Sequence, residues 1–408
     1  MVLIRRFTAL GAALALIIGA CAAPSPSQRT EAPSAVPGGS RSIATGGPTA
    51  SYPVVAVDQG SVSTVALTVG DQAHRLAASG PLVVFDQIGY DGVGDRGHKI
   101  FLADLEHRSL ETIATARGTD AAWVPDVSGR MVVWSEWHYE PPAGGAIAWR
   151  VMSRDLATSK AVEIASGTNR RLQANSAVPP IVRVDGDRIA YTEEDATTAR
   201  PFGWKIVVRS LASGRVERTY LTAQSVYAMA LSGSDVLYTE GLVDQGVGFM
   251  YRTRLMLATP NEPAGAWIAD DAFEVAFRGS RFAWDADPGS SQGQLGMAQH
   301  PQVMTATVDS RTPVPASYPA AGKIQGSVWP TTGDDLVAWS DDEGTDPTTT
   351  GNRLGVWAPG RGAFALEPAH AIAPILGGDG WLTWYDDSAP GIAAVIHGVQ
   401  VSTLAAAR

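Results

Sequence analysis

The 408-residue chain carries one cysteine, Cys21, four lysines and seven scattered histidines. A single cysteine excludes an intrachain disulfide and cysteine-ligated zinc. The histidines form no His-Glu-x-x-His or paired-His motif, so a zincin-type centre is absent as well. After residue 20 no run reaches the roughly 18 apolar residues that read as a membrane-spanning helix. No basic patch occurs, and 41 acidic residues outnumber 31 basic ones for a net charge of −10. Nucleic-acid phosphates therefore have nothing to pair with, and no nucleic-acid partner is expected. A chain 45% apolar and 18% charged is not a disordered segment, a collagen or a coiled coil. After Cys21 no segment of useful length shows a helical period.

The first twenty residues read as a targeting segment. Arg5 and Arg6 form a positive start, and an apolar run follows from Phe7 to Ala20. It ends in Ile18-Gly19-Ala20-Cys21, which resembles the lipobox of bacterial lipoproteins. The resemblance implies cleavage before Cys21 and a lipid on its thiol, anchoring the chain to the bacterial cell membrane on its extracytoplasmic side. Acyl chains contribute about 0.8 kcal/mol per buried methylene, enough to hold a folded domain at a bilayer surface. Residues 21–52 are dominated by Pro, Ser, Ala and Gly without periodicity, as in a flexible tether. Residues 53–408 are left for the folded body.

That body repeats. A glycine is followed by an apolar stretch ending in an aromatic residue, with an acid one or two places later. The seven instances start at Gly80, Gly129, Gly186, Gly233, Gly279, Gly333 and Gly378, and their aromatics are Phe85, Trp134, Tyr191, Tyr238, Trp284, Trp339 and Trp384. The aromatics are spaced by 49, 57, 47, 46, 55 and 45 residues. Alternating, β-branched segments such as Lys99–Leu105, Trp149–Leu156 and Trp204–Leu211 follow, as strands would. A unit of this length with four short strands predicts a β-propeller blade. The fold expected is all-β, a seven-bladed propeller of four-stranded antiparallel blades. A six-bladed ring with an incomplete seventh repeat is the alternative. The aromatics are expected between blades as packing.

The run Asp185–Glu193 with Lys205–Gly214, and the run Ser128–Glu136 with Arg154–Lys160, resemble TolB-type propeller repeats. The resemblance covers most of residues 70–408 and implies the fold. It departs from TolB in two ways. TolB has an α/β domain where this chain has only a linker, and six blades where this chain has seven repeats, so TolB's partners are not implied.

Closure is expected to use both chain ends. The strand-like Ser61–Val69 would complete the last blade, whose later strands read as Ala393–Ile396 and Val399–Ser402. The long connection after each aromatic strand should emerge on one face of the disc, where a rigid scaffold would present it for binding. Two features converge there. One is the recurrent acid: Asp86, Glu136, Glu193, Glu240, Asp285, Asp341 and Asp386. The other is a set of loop aromatics that includes Tyr90, Trp137 and Tyr139, with His138 among them. Such a rim suits a cation, a basic peptide or a sugar.

Catalytic signals are poor. Gly289-Ser290-Ser291-Gln292-Gly293 fits a nucleophile elbow, but that motif needs a strand-to-helix turn that an all-β repeat lacks. No cofactor is expected, although Asp91–Asp95 and Asp341–Asp346 could offer oxygen ligands to calcium. The sequence thus points to a cell-envelope lipoprotein whose propeller binds an envelope protein, peptide or glycan. The rival is an extracytoplasmic glycan hydrolase or lyase using two rim carboxylates.

Overall fold

The computed structural model describes residues 54–67, 73–87, 99–117, 120–139, 146–158, 160–169, 179–195, 203–244, 250–286, 302–317, 327–333, 335–342, 352–367, 373–377, 380–386 and 394–406. All of them belong to one compact unit, Thr45–Arg408. Cys21, the tether to residue 52, Tyr90 and Asp91–Asp95 lie outside the described residues, as do the side chains of Tyr139 and Asp341.

The body is a seven-bladed β-propeller with four-stranded antiparallel blades. Blades 1 to 7 begin with the innermost strands Ala73–Ser79, Ala121–Ser128, Val182–Asp185, Val226–Ser232, Ala272–Arg278, Ser327–Thr332 and Ala373–Gly377. Each innermost strand contacts the next, and the last contacts the first, so the ring is closed. The second strand of every blade carries the repeated aromatic, as in Leu82–Gln87 and Met131–Tyr139.

The turn glycine explains its own recurrence. Gly80, Gly129, Gly186, Gly233 and Gly279 all have φ between 55° and 58°, the left-handed region where a Cβ is penalised. These are the five instances with a five-residue spacing to the aromatic. Where the spacing is six the turn differs. Gly333 is outside that region, and in blade 7 Gly380 is left-handed, while Gly378 lies outside the described residues. The residue before the glycine clasps the next blade. Ser79 Oγ accepts from the Gly129 amide at 2.8 Å, Ser128 Oγ from Gly186 at 2.9 Å, and Asp185 Oδ2 from Gly233 at 2.7 Å.

The aromatics are the packing between blades. Phe85 of blade 1 sits in one apolar cluster with Tyr385 and Ile396 of blade 7. Trp134 packs with Val84 and Ile100 of blade 1, and Tyr191 with Val133 and Trp149 of blade 2. Tyr238, Trp339 and Trp384 repeat the arrangement against blades 3, 5 and 6. Trp339 also fixes its partner strand. A Cβ at the cross-strand Gly355 would lie 2.2 Å from its indole, so only glycine fits beneath the ring.

Both chain ends close the ring. Ser63–Ala66 is the outermost strand of blade 7, antiparallel to Val395–Gln400. The closure expected from Ser61–Val69 is found, but the two later strands expected at 393–402 are one strand followed by a helix, Val401–Ala406. Gly398 does not make a turn. It lies in mid-strand, where a Cβ would meet Leu105 at 2.5 Å. An unforeseen fifth strand, Val54–Ala56, pairs in parallel with the outermost strand of blade 6. Val57 and Leu404 then bury together among residues of blades 6 and 7.

Two outcomes are expected. Deleting residues 54–66 opens blade 7 and uncovers blade 6, so cooperative thermal unfolding should be lost; an unchanged melt would contradict this closure. Trp339→Ala should cost about 3–5 kcal/mol in denaturant unfolding. Trp267→Ala, on an exposed outer strand, should change stability by only about 0.5 kcal/mol.

Candidate functional site

Register divides the motif acids into two sets. Side chains along a strand alternate between its faces, so residues one and two places after the aromatic point in opposite directions. One place after it stand Asp86, Ser135, Thr192, Thr239, Asp285, Ser340 and Thr383. All seven are polar and no more than 6% exposed. Ser135, Thr192, Thr239 and Asp285 bond to the entry of the innermost strand. That strand bulges in five blades, between His74 and Ala77, Trp123 and Asp126, Val226 and Ala228, Ala272 and Val275, and Val328 and Thr331. A bulge breaks the ladder and leaves backbone groups that need partners. Ser135 Oγ donates to the Trp123 carbonyl at 3.2 Å, and Thr239 Oγ1 accepts from the Ala228 amide at 3.1 Å. Asp285 Oδ1 accepts from the amides of Phe273 and Glu274 at 3.2 and 2.6 Å. Val124 in the blade 2 bulge has φ 48°, a strained value for a β-branched residue.

Two places after the aromatic stand Glu136, Glu193, Glu240, Asp341 and Asp386. Three of these face a base across the sheet: Glu136 with Arg150, Glu193 with Lys205 and Glu240 with Arg254. Arg150 reaches Glu136 at 2.6 Å, and Lys205 reaches Glu193 at 2.7 Å. Asp386 lies 3.9 Å from His397, whose ring stacks on Trp384. The seven acids therefore do not form one exposed rim. Asp86, Glu136, Glu240 and Asp285 are buried. Burial pushes the Glu240 carboxyl up. It pushes Asp285 up to about 8, with the charge of Glu274 adding to the effect.

Among the described residues a dense polar group on the long-loop side belongs to blade 2. Arg150 Nη2 bridges Asp120 at 2.5 Å and Glu136 at 2.6 Å, and His138 Nδ1 lies 3.1 Å from Asp120. Trp134 Nε1 donates to the other Glu136 oxygen at 3.0 Å. Trp137 is buried and meets Trp123 edge-to-face at 6.1 Å. Glu136, Trp137 and His138 are thus brought together, with Trp137 as part of the wall. Among the described residues no group of three or more His, Cys, Asp or Glu could hold a metal ion.

Sequence reasoning missed Tyr227. It is the bulged residue of the blade 4 innermost strand, at the end where that strand leaves the long-loop face. It is 45% exposed. Its ring covers Gly241, where a Cβ would lie 1.9 Å from the ring. The only signal was the glycine directly after Glu240, which is legible only once the register is known.

No protein-family model matches the chain, and no curated protein matches it. Solved structures do. The β-propeller domain of the Trilobed protease from Pyrococcus furiosus superposes with a TM-score of 0.57 at 10% identity, over 81% of this chain and 97% of that one. The acylaminoacyl peptidase of Pyrococcus horikoshii gives 0.53 at 11% identity, over 80% of this chain and 50% of that one. This chain therefore spans about half the length of that peptidase. At such identities the likeness is one of fold. The Pyrococcus furiosus propeller has an open velcro topology, whereas here Ser63–Ala66 supplies the fourth strand of blade 7.

Asp285 generates a pH prediction. Its folded pKa lies above the unfolded value, so the native state binds the proton more tightly. Its contribution to stability is present at low pH and is lost as pH rises through about 8. Between pH 6 and pH 9 the melting temperature of the wild type should fall more steeply than that of Asp285→Asn, which mimics the protonated acid. Parallel curves would show that Asp285 titrates normally.

Proposed function

We propose that the chain is a TolB-like lipoprotein of the bacterial cell envelope, tethered through Cys21 and acting as a binding scaffold through its long-loop face. The partner is an envelope protein, peptide or glycan. The localisation rests on the agreement of Arg5-Arg6, the apolar run and the Ile18–Cys21 box. The binding role rests on one observation. Glu136 and Glu193 are paired with bases of their own blades and Asp86, Glu240 and Asp285 are buried, while Tyr227 stands 45% exposed at the long-loop end of an innermost strand. An aromatic face over glycine backbone is a rigid, low-entropy contact for a peptide or sugar ring.

The hydrolase or lyase reading would need two accessible carboxylates with pKa values set apart. Asp285 and Glu274 are adjacent and Asp285 is raised, but Asp285 is buried and holds two backbone amides. Binding is therefore the better account.

The test uses the full-length chain in bacterial cells. Cys21→Ala should move it from the detergent-extracted membrane fraction to the soluble envelope fraction. A photo-cross-linking residue at position 227 should give a discrete adduct, and one at Val216, exposed on the outer strand of blade 3, should not. Membrane retention of Cys21→Ala would refute the anchor, and equal adducts at both positions would refute the binding face.

A further inference from the structure

On the long-loop face, blades 4 and 5 meet at a seam beside Tyr227. Thr239 Oγ1 accepts from the Ala228 amide of its own blade at 3.1 Å and donates to the Phe273 carbonyl of blade 5 at 3.3 Å. Ala228 follows Tyr227, and Phe273 precedes Glu274, whose side chain is exposed. One buried hydroxyl therefore ties together the two backbones that carry an exposed aromatic ring and an exposed carboxylate. Gly241 lies two places after Thr239 and shares its side of the sheet. The Tyr227 ring, which covers Gly241, thus stands on the side of blade 4 that turns to blade 5.

The seam is pinned at further points. Thr253, cross-strand from Gly241, donates its hydroxyl to the Ala272 carbonyl, and its own carbonyl accepts from the Asp271 amide at 2.8 Å. Asp271 enters blade 5 at φ 54°, and the Glu274 amide is held by Asp285 at 2.6 Å. Ring and carboxylate therefore rest on backbone that cannot shift without breaking buried bonds. The seam is also of one charge sign. The segments Val226–Ala228, Thr239–Gly241 and Asp271–Val275 contain no lysine or arginine, and the last of them carries two acids, Asp271 and Glu274. Arg254, beside Thr253, stands opposite Glu240 on the side that turns to blade 3, as Tyr238 does.

We infer that this seam takes a lysine or arginine side chain between Tyr227 and Glu274, so that the partner of the long-loop face presents a basic peptide segment. A ring face attracts a cation through its quadrupole, and the neighbouring carboxylate supplies the countercharge. A neutral sugar could stack on the ring but would draw nothing from the charge of Glu274. The net charge of −10 also steers basic segments toward the protein. The inference rests on the binding face proposed above and narrows its ligand.

The full chain is titrated with a labelled tetralysine peptide, blocked at both ends, and followed by fluorescence anisotropy. Saturable binding is expected, and it should vanish when the same peptide carries acetylated lysines. Tyr227→Ala and Glu274→Gln should each weaken it about twofold to fivefold, the range of an exposed cation–π contact or ion pair. Glu163→Gln removes an exposed charge from the outer strand of blade 2 and should leave it unchanged. If Tyr227→Ala does not melt as the wild type does, Tyr227→Phe and Tyr227→Leu decide. Phenylalanine keeps the ring face and should weaken binding less than leucine, which keeps only bulk. No saturable binding, equal binding of the acetylated peptide, or equal losses in Glu163→Gln and Glu274→Gln would overturn the inference. Competition by the neutral sugar maltotetraose would overturn it as well, in favour of a glycan. None of these outcomes bears on the adduct at position 227 in cells, which tests the binding face separately.

Discussion

A four-stranded blade has two apolar faces and cannot bury either one alone. The rest of this structure depends on that constraint. Each blade covers one face with its predecessor and the other with its successor, and the motif aromatic is what enters the gap. Burying a side chain of that size contributes about 1.5–3 kcal/mol, and these contacts must all be made together. A ring with one blade missing or unfinished would expose two faces at once, which is why both chain termini are committed to blades 6 and 7.

The same constraint explains the polar residues. Blades pack tightly only if the innermost strands converge on the axis, and five of the seven bulge as they do so. Each bulge leaves backbone groups off the ladder inside a packed interface, where an unsatisfied group costs about 1–3 kcal/mol. The ring of seven buried Asp, Ser and Thr side chains lies beside these bulges, and it is as regular as the aromatics. Acids one residue further along point the other way, and Glu136 and Glu193 pair with Arg150 and Lys205 on the third strand. An acid count in sequence merges these two roles, because the two positions differ by one residue and that residue reverses the face.

The clearest contrast is between the two ends of the disc. At the glycine-turn end the blades are joined by clasps from Ser79, Ser128 and Asp185. At the long-loop end, Tyr227 is exposed and blade 2 gathers Asp120, Glu136, His138 and Arg150.

Blade number, blade boundaries and the burial of the aromatics were legible from Gly80 to Trp384, because the aromatic recurs in all seven blades and a turn glycine at positive φ precedes it by five residues in five of them. The closing strand near Ser63 was legible for the same reason, as an alternating segment before the first repeat. Tertiary structure alone decided the rest. Val54–Ala56 carries no mark of its parallel partner in blade 6, since three apolar residues suit any open edge. Gly398 looks like a turn until Leu105 is seen above it. The split of the acids, the exposure of Tyr227 and the bond from the Val184 amide of blade 3 to Asp126 of blade 2 all depend on register or on blades distant in sequence. Sequence fixes a pattern within a blade, but which residues share a face or a bore is set only when the ring closes.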